Sequence, residues 1–186
     1  MLLLILGILL WMGMHFLPTL GTNARQALID KVGLNGYKGI FSLALLAAIG
    51  LIIIGWRSTV PVSVYLPPAE LRSVAMLITV LGFILMAASG RPTRIGRIVR
   101  HPQLTGLLLW SLAHLLANGD SRSLVLFSGF ALWSLAEIVL ISKREGPWQK
   151  PETPAWSADI MAVVIGLVMA VALVWAHPWI AGVPLR

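Results

Sequence analysis

The sequence predicts an all-α, polytopic transmembrane helix bundle of about six helices, and three observations carry that prediction. Of 186 residues, 58% are hydrophobic and 11% charged, against about 25% charged in an average soluble domain, so there is too little polar surface to solvate the fold in water. The apolar residues gather into runs near the length needed to cross a hydrocarbon core about 30 Å thick. The basic residues fall in several short loops between these runs, despite a net charge of +7. Anionic headgroups account for that distribution, whereas nucleic acid would need one stripe or patch. The lipid bilayer is therefore the expected partner, and nucleic acid is not.

In chain order, the runs place spans at roughly Leu2 to Leu17, Gly39 to Trp56, Val74 to Ala88, Leu104 to Ala117, Ser123 to Ile141 and Ala158 to Ala176. The first run has neither a basic n-region nor a small-residue cleavage pattern, so it is expected to stay as a membrane helix. Pro18 is expected to close it. Between the first two spans, Ala24, Ala27, Leu28 and Val32 recur at helical spacing beside Arg25 and Lys31, as a short helix lying on the membrane requires. Pro67-Pro68 opens a turn before the third span, Asn118-Gly119-Asp120 joins the fourth and fifth tightly, and Gly146-Pro147 breaks the chain after the fifth. The third and fourth spans are short. Trp56, Trp156, Trp175, Trp179 and Tyr65 lie at span ends or in flanking loops, where amphipathic rings favour the interface. No internal repeat or low-complexity segment divides the chain, so residues 1–186 are expected to form one domain.

Ten lysines and arginines lie in the odd-numbered loops: Arg25, Lys31, Lys38, Arg91, Arg94, Arg97, Arg100, Lys143, Arg144 and Lys150. Arg57, Arg72, Arg122 and Arg186 fall on the other side. The positive-inside rule then puts the odd loops in the cytoplasm and both termini outside, which in a bacterial inner membrane means the periplasm.

Cysteine is absent, which removes disulfides, thiolate metal sites and cysteine nucleophiles from consideration. There is no His-Glu-x-x-His, no phosphate-cradling glycine loop and no nucleophile-base-acid set. The candidates that remain are histidines. His15 lies inside the first span, with Trp11 and Met12 one turn back. An imidazole in lipid needs partners that water cannot supply there, so it is either a functional group or a neutral histidine bonded to a carbonyl. His114 shares a helix face with Trp110, Ser111 and Asn118.

His15 and His114 are the two histidines embedded in spans, and imidazoles from two helices can supply both axial ligands to haem iron. Without a Cys-x-x-Cys-His motif, only noncovalent haem b fits. Their expected heights differ. His15 lies a few residues above the cytoplasmic end, whereas His114 stands about 10 residues, roughly 15 Å, above the start of its helix. A tilted porphyrin, a shifted first helix or ligation by His101 instead would reconcile them.

His101 sits in Arg97-Ile98-Val99-Arg100-His101-Pro102-Gln103, with Pro102 suited to a first helical turn. The segment could bind an anionic group with its arginines, or be a basic loop held by lipid phosphate. At 100° per residue, the thirteen residues from His101 to His114 put them on nearly opposite faces. Glu137 is the one carboxylate within a span, and it is expected to snorkel and pair near Lys143 and Arg144 rather than to relay protons. His177, before Pro178 and Trp179, is expected at the interface.

Gly13-Met14-His15, the run from Gly36 to Ser42, the segment from Arg100 to Asp120 and the closing His177 to Leu185 resemble the pattern of the NnrU family of bacterial membrane proteins, nearly end to end. That resemblance implies an accessory role in nitrite and nitric oxide reduction in denitrifying bacteria, through electron transfer or maturation of a nitrogen-oxide reductase. The chain is also similar to the membrane domain of zeta-carotene isomerase, which implies haem b held at the positions of His15 and His114. The isomerase carries a cysteine, implicated as an alternative iron ligand, where this chain has Ser111. Ligand switching of that kind is therefore not implied here.

A local resemblance remains. Arg100-His101-Pro102, with Gly106 and Trp110 beyond, resembles the S-adenosylmethionine-binding signature of isoprenylcysteine carboxyl methyltransferases. The acidic and tyrosine pattern that those enzymes carry downstream is missing between Glu137 and Trp148. The expected function is thus a haem-b-binding inner-membrane protein, with iron held by His15 and His114. A membrane-embedded methyltransferase and a cofactor-free structural partner are the alternatives.

Overall fold

Runs of leucine, isoleucine, valine and alanine with few charges satisfy every backbone polar group internally when they coil, and in lipid a helix is the available way to do so. A computed structural model shows this outcome and describes residues 1–150 and 152–182. Six α-helices follow one another: α1 Leu2–Leu20, α2 Thr22–Ser58, α3 Leu71–Ala88, α4 Pro102–Ala117, α5 Ser121–Glu145 and α6 Trp156–Ala181. A short 3-10 turn, Ile95–Arg97, precedes α4. Among the described residues there is no strand, only an isolated bridge from Ser63 to Asp120. Arg186 and the end of the His177 to Leu185 segment lie outside the described residues.

Five of the helices are long and apolar enough to cross a membrane, so the protein is a multi-pass membrane protein. The exception is α4. Its 16 residues reach about 24 Å, short of a hydrocarbon core of about 30 Å.

The chain divides into two compact units, Met1–Val60 and Pro61–Arg186. In the first, α1 and α2 pack as a hairpin with Leu4 and Ala48 fully buried. The backbone of Leu4 lies so close to Gly55 that no side chain larger than hydrogen fits there, the close approach that small residues permit between membrane helices. Outward-facing positions are apolar too, with Leu2 69% and Leu43 67% exposed, as a lipid-facing surface requires.

Two expectations for this unit change. Pro18 does not end α1, which runs on to Leu20. Proline lies in the last turn, where its missing N–H and fixed φ disturb little that follows. The short helix between the spans is present as expected and ends at Gly33, at φ 74° and ψ 166°, but the helix of the second span follows Gly33 directly instead of starting near Gly39. Glycine alone adopts that backbone without strain, so the residue acts as the joint between the two segments.

In the second unit, α3 packs against both α4 and α6, and α4 packs against α5. Gly82 of α3 meets Gly106 of α4 backbone to backbone, where a methyl on Gly82 would stand 2.7 Å from the Gly106 carbonyl oxygen. The tight connection from α4 to α5 is as expected. Asp120 caps α5, its Oδ1 accepting the N–H groups of Arg122 and Ser123 at 3.1 Å each. Gly146 ends α5 at φ 72°. On α6, Trp156, Trp175 and Trp179 are exposed near the helix ends, the positions expected of interfacial aromatics.

Candidate functional site

Each unit places one histidine in the same local setting. In α1, Nδ1 of His15 donates to the carbonyl of Trp11 at 2.9 Å, and the two rings lie 4.4 Å apart. In α4, Nδ1 of His114 donates to the carbonyl of Trp110 at 2.8 Å, with the rings 4.5 Å apart. Trp-x-x-x-His occurs at both places because residues four apart stack on one helix face, and a histidine there can reach back to the carbonyl of the preceding turn.

The bond fixes the chemistry of each ring. A carbonyl only accepts, so Nδ1 carries the proton and the neutral imidazole has its lone pair on Nε2. A ligating histidine commonly takes this form, its second nitrogen held by a backbone carbonyl that orients the ring and raises its basicity.

The surroundings are aromatic in both units. His15 meets Phe41 of α2 edge-on at 5.6 Å, and Phe41 lies 6.1 Å from the buried Tyr37. The guanidinium of Arg25 sits 5.2 Å from the Tyr37 ring centre. His114 stacks on Phe127 of α5 at 4.4 Å, and Trp110 packs on Phe127 and Phe130 at 5.1 and 6.3 Å. Asn118 closes the end of α4 on the same residue, its backbone N–H and its Nδ2 both reaching the His114 carbonyl, at 2.8 and 3.0 Å.

Ser111 is fully buried and donates to the Leu107 carbonyl at 2.8 Å. Its hydroxyl is thus committed to its own helix. His177, expected only at the interface, is placed in α6, near enough to His114 to act on it electrostatically. Nothing in the sequence pairs these two, since the relation depends on how α6 packs on α3.

His101 directly precedes α4, and its Nε2 lies 2.8 Å from the Ser142 hydroxyl of α5. Burial holds the His101 imidazole below its ordinary pKa; Glu145 opposes that shift and Arg100 adds to it. The opposite-face expectation therefore fails, because both His101 and His114 reach α5. The 100° rule assumes helical backbone at both residues, whereas His101 has φ −123° and ψ 71°. They remain apart along α5, since fifteen residues separate Ser142 from Phe127, about 22 Å.

Glu137 also departs from expectation. It is 3% exposed, so it does not snorkel to water, although Arg144 does act on it electrostatically. Among the described residues, no group of three or more His, Asp or Glu side chains is arranged to hold a metal ion.

No curated protein and no solved structure matches the chain. The sequence model of the NnrU family, described as NnrU protein, matches residues 3–185. That span is nearly the whole chain, so the chain belongs to the NnrU family.

Proposed function

We propose that this membrane protein binds haem b noncovalently and that His15 and His114 are its iron-ligating residues. The single observation that carries the reading is the shared geometry of the two histidines. Each imidazole is held through Nδ1 to the carbonyl of a tryptophan four residues back, which assigns the lone pair to Nε2, the form suited to iron.

Chemically, the residues fit the group. Neutral imidazoles among tryptophan and phenylalanine rings suit a flat apolar macrocycle, and Ser111, held to Leu107, leaves the histidines as the donors. Haem b, when bound, would supply one-electron chemistry. This chain's residues would orient the imidazoles, exclude water and hold the Nδ1 protons in place. The place of the activity, as the family resemblance has it, is the bacterial inner membrane, accessory to nitrite and nitric oxide reduction by electron transfer or by maturation of the reductase.

The test is the haem content of the full chain purified in mild detergent, measured as pyridine haemochrome. About one haem b per chain supports the reading. Protein free of haem after expression with ample haem supply contradicts it. Saturable binding of S-adenosylmethionine would then favour the methyltransferase, and its absence a structural partner.

A further inference from the structure

The loop from α3 to α4 and the end of α5 form two adjoining depressions in the second unit. One, of about 400 Å³, is lined in part by Ser89, Arg91, Thr93, Gly96, Arg100 and Trp148. The other, of about 430 Å³, shares Arg100 and Trp148 and adds Glu145. We propose that this double depression is a binding site for a phosphoryl oxyanion, held by the guanidinium groups of Arg91 and Arg100. The inference is independent of the haem reading.

Four observations support it. First, the lining hydroxyls are committed within the loop, and the cationic donors belong to arginine. Ser89 donates inward to the Met86 carbonyl at 2.6 Å, and the Thr93 hydroxyl faces the Ala88 carbonyl at 3.4 Å while accepting the Gly96 N–H at 3.0 Å. Second, Arg100 is only partly satisfied. Its Nη2 donates to the Gly146 carbonyl at 2.8 Å and stands 3.6 Å from Glu145, but its Nε is buried with no hydrogen-bond partner. The side chain as a whole is 21% exposed and lines both depressions, so its exposed part can meet an anion there.

Third, Arg91 is exposed and makes no hydrogen bond or ion pair among the described residues, so its fork is available. Fourth, charge is in excess at this end. In these segments Arg91, Arg94, Arg97, Arg100, Lys143, Arg144 and Lys150 outnumber Glu137, Glu145, Glu152 and Asp159, and Glu145 is already shared by Arg100 and Arg144.

The loop that presents these groups is anchored. Asp159 of α6 accepts the Ile95 N–H at 3.1 Å, and Arg94 lies 4.1 Å over the Trp156 ring. Two separate arginine forks suit a tetrahedral group with several charged oxygens better than a planar carboxylate. A lipid phosphodiester and a soluble phosphate share that chemistry.

Thermal unfolding of the full chain in an uncharged detergent separates the two sources, because a ligand of the folded state raises the midpoint with concentration. Short-chain phosphatidylglycerol, short-chain phosphatidylcholine and inorganic phosphate are added at matched ionic strength. A saturable rise with phosphatidylglycerol identifies a lipid headgroup site, and one with inorganic phosphate alone a soluble ligand. In either case Arg91→Gln should raise the half-saturating concentration roughly tenfold, the weight of one charge-assisted bond. Arg91 has no partner among the described residues, so this variant keeps its structure. Arg100→Lys, which keeps the charge and replaces the guanidinium fork by a single ammonium, should do the same, while Arg72→Gln at the other end of α3 should not. No saturable rise with any of the three, an equal rise with phosphatidylcholine, or rises unchanged in Arg91→Gln would overturn the proposal.

Discussion

The imidazole of His114 is held by two contacts at once: Nδ1 donates to the Trp110 carbonyl at 2.8 Å, and the ring stacks on Phe127 at 4.4 Å. The first contact sets the tautomer, and the second keeps the ring from turning about its bond to the backbone. Stacking of this kind is worth about 0.5–1.5 kcal/mol beyond the area it buries. Phe127→Leu should therefore lower the thermal midpoint of the second unit modestly, and the loss should shrink when His114 is already alanine. A double-mutant cycle in detergent measures that coupling; additive effects would mean that the ring contact carries no energy.

Contact between α3 and α4 depends on two glycines. A methyl on Gly82 would stand 2.7 Å from the Gly106 carbonyl, so the helices must separate to admit it. Gly82→Ala should cost about 1–3 kcal/mol. Gly50→Ala is the contrast, since its methyl would meet nothing within 4 Å and alanine is the better helix former by about 1 kcal/mol. Thermal unfolding of the two variants should move in opposite directions.

The join between His101 and Ser142 should weaken in acid. Burial places the folded imidazole below its ordinary value of 6.5, so the opened state binds more protons and the stability of the join rises with pH. It is fully present above pH 6.5 and is lost as pH falls below that value toward the depressed folded one. Glu145 and Arg100 are the charged groups acting on it. Hydrogen exchange near Ser142 and Gly146 should be faster at about pH 5 than at pH 8 after correction for intrinsic rates, and His101→Gln should remove the difference. Equal protection at both values would show that the bond does not govern this end of α5.

Topology follows from the charge count. Reporter domains fused after Pro67 and after Pro147 should read opposite sides of the membrane, with the second cytoplasmic. The same side for both would overturn the six-span topology and mark α4, 16 residues long, as the helix that does not cross.

Six helices and the joins at Asn118-Gly119-Asp120 and Gly146-Pro147 were legible because they follow from local chemistry: apolar runs and the residues that break them. What was not legible depends on neighbours. Hydropathy reads Leu2 and Leu4 alike, yet Leu2 is 69% exposed and Leu4 fully buried, because lipid and protein interior are equally apolar. The same blindness concealed the burial of Glu137 and the approach of His177 to His114. The direction of His101 was misread for a different reason, since it precedes the helix whose phase was applied to it. Trp11 and Trp110 were visible at their spacing from the histidines, but which nitrogen each carbonyl takes depends on the ring's rotation in the folded helix.

The most direct test of the central claim is the visible spectrum of the purified full chain beside its His15→Ala and His114→Ala variants. The parent protein should show a Soret band with reduced α and β bands, and removal of either histidine should cause loss of haem or a high-spin spectrum, because each change deletes one iron bond. His101→Ala should keep the parent spectrum, as its Nε2 is already engaged with Ser142. A parent-like spectrum in His15→Ala together with loss of haem in His101→Ala or His177→Ala would contradict the ligand assignment, and a parent protein with no Soret band would contradict haem binding itself.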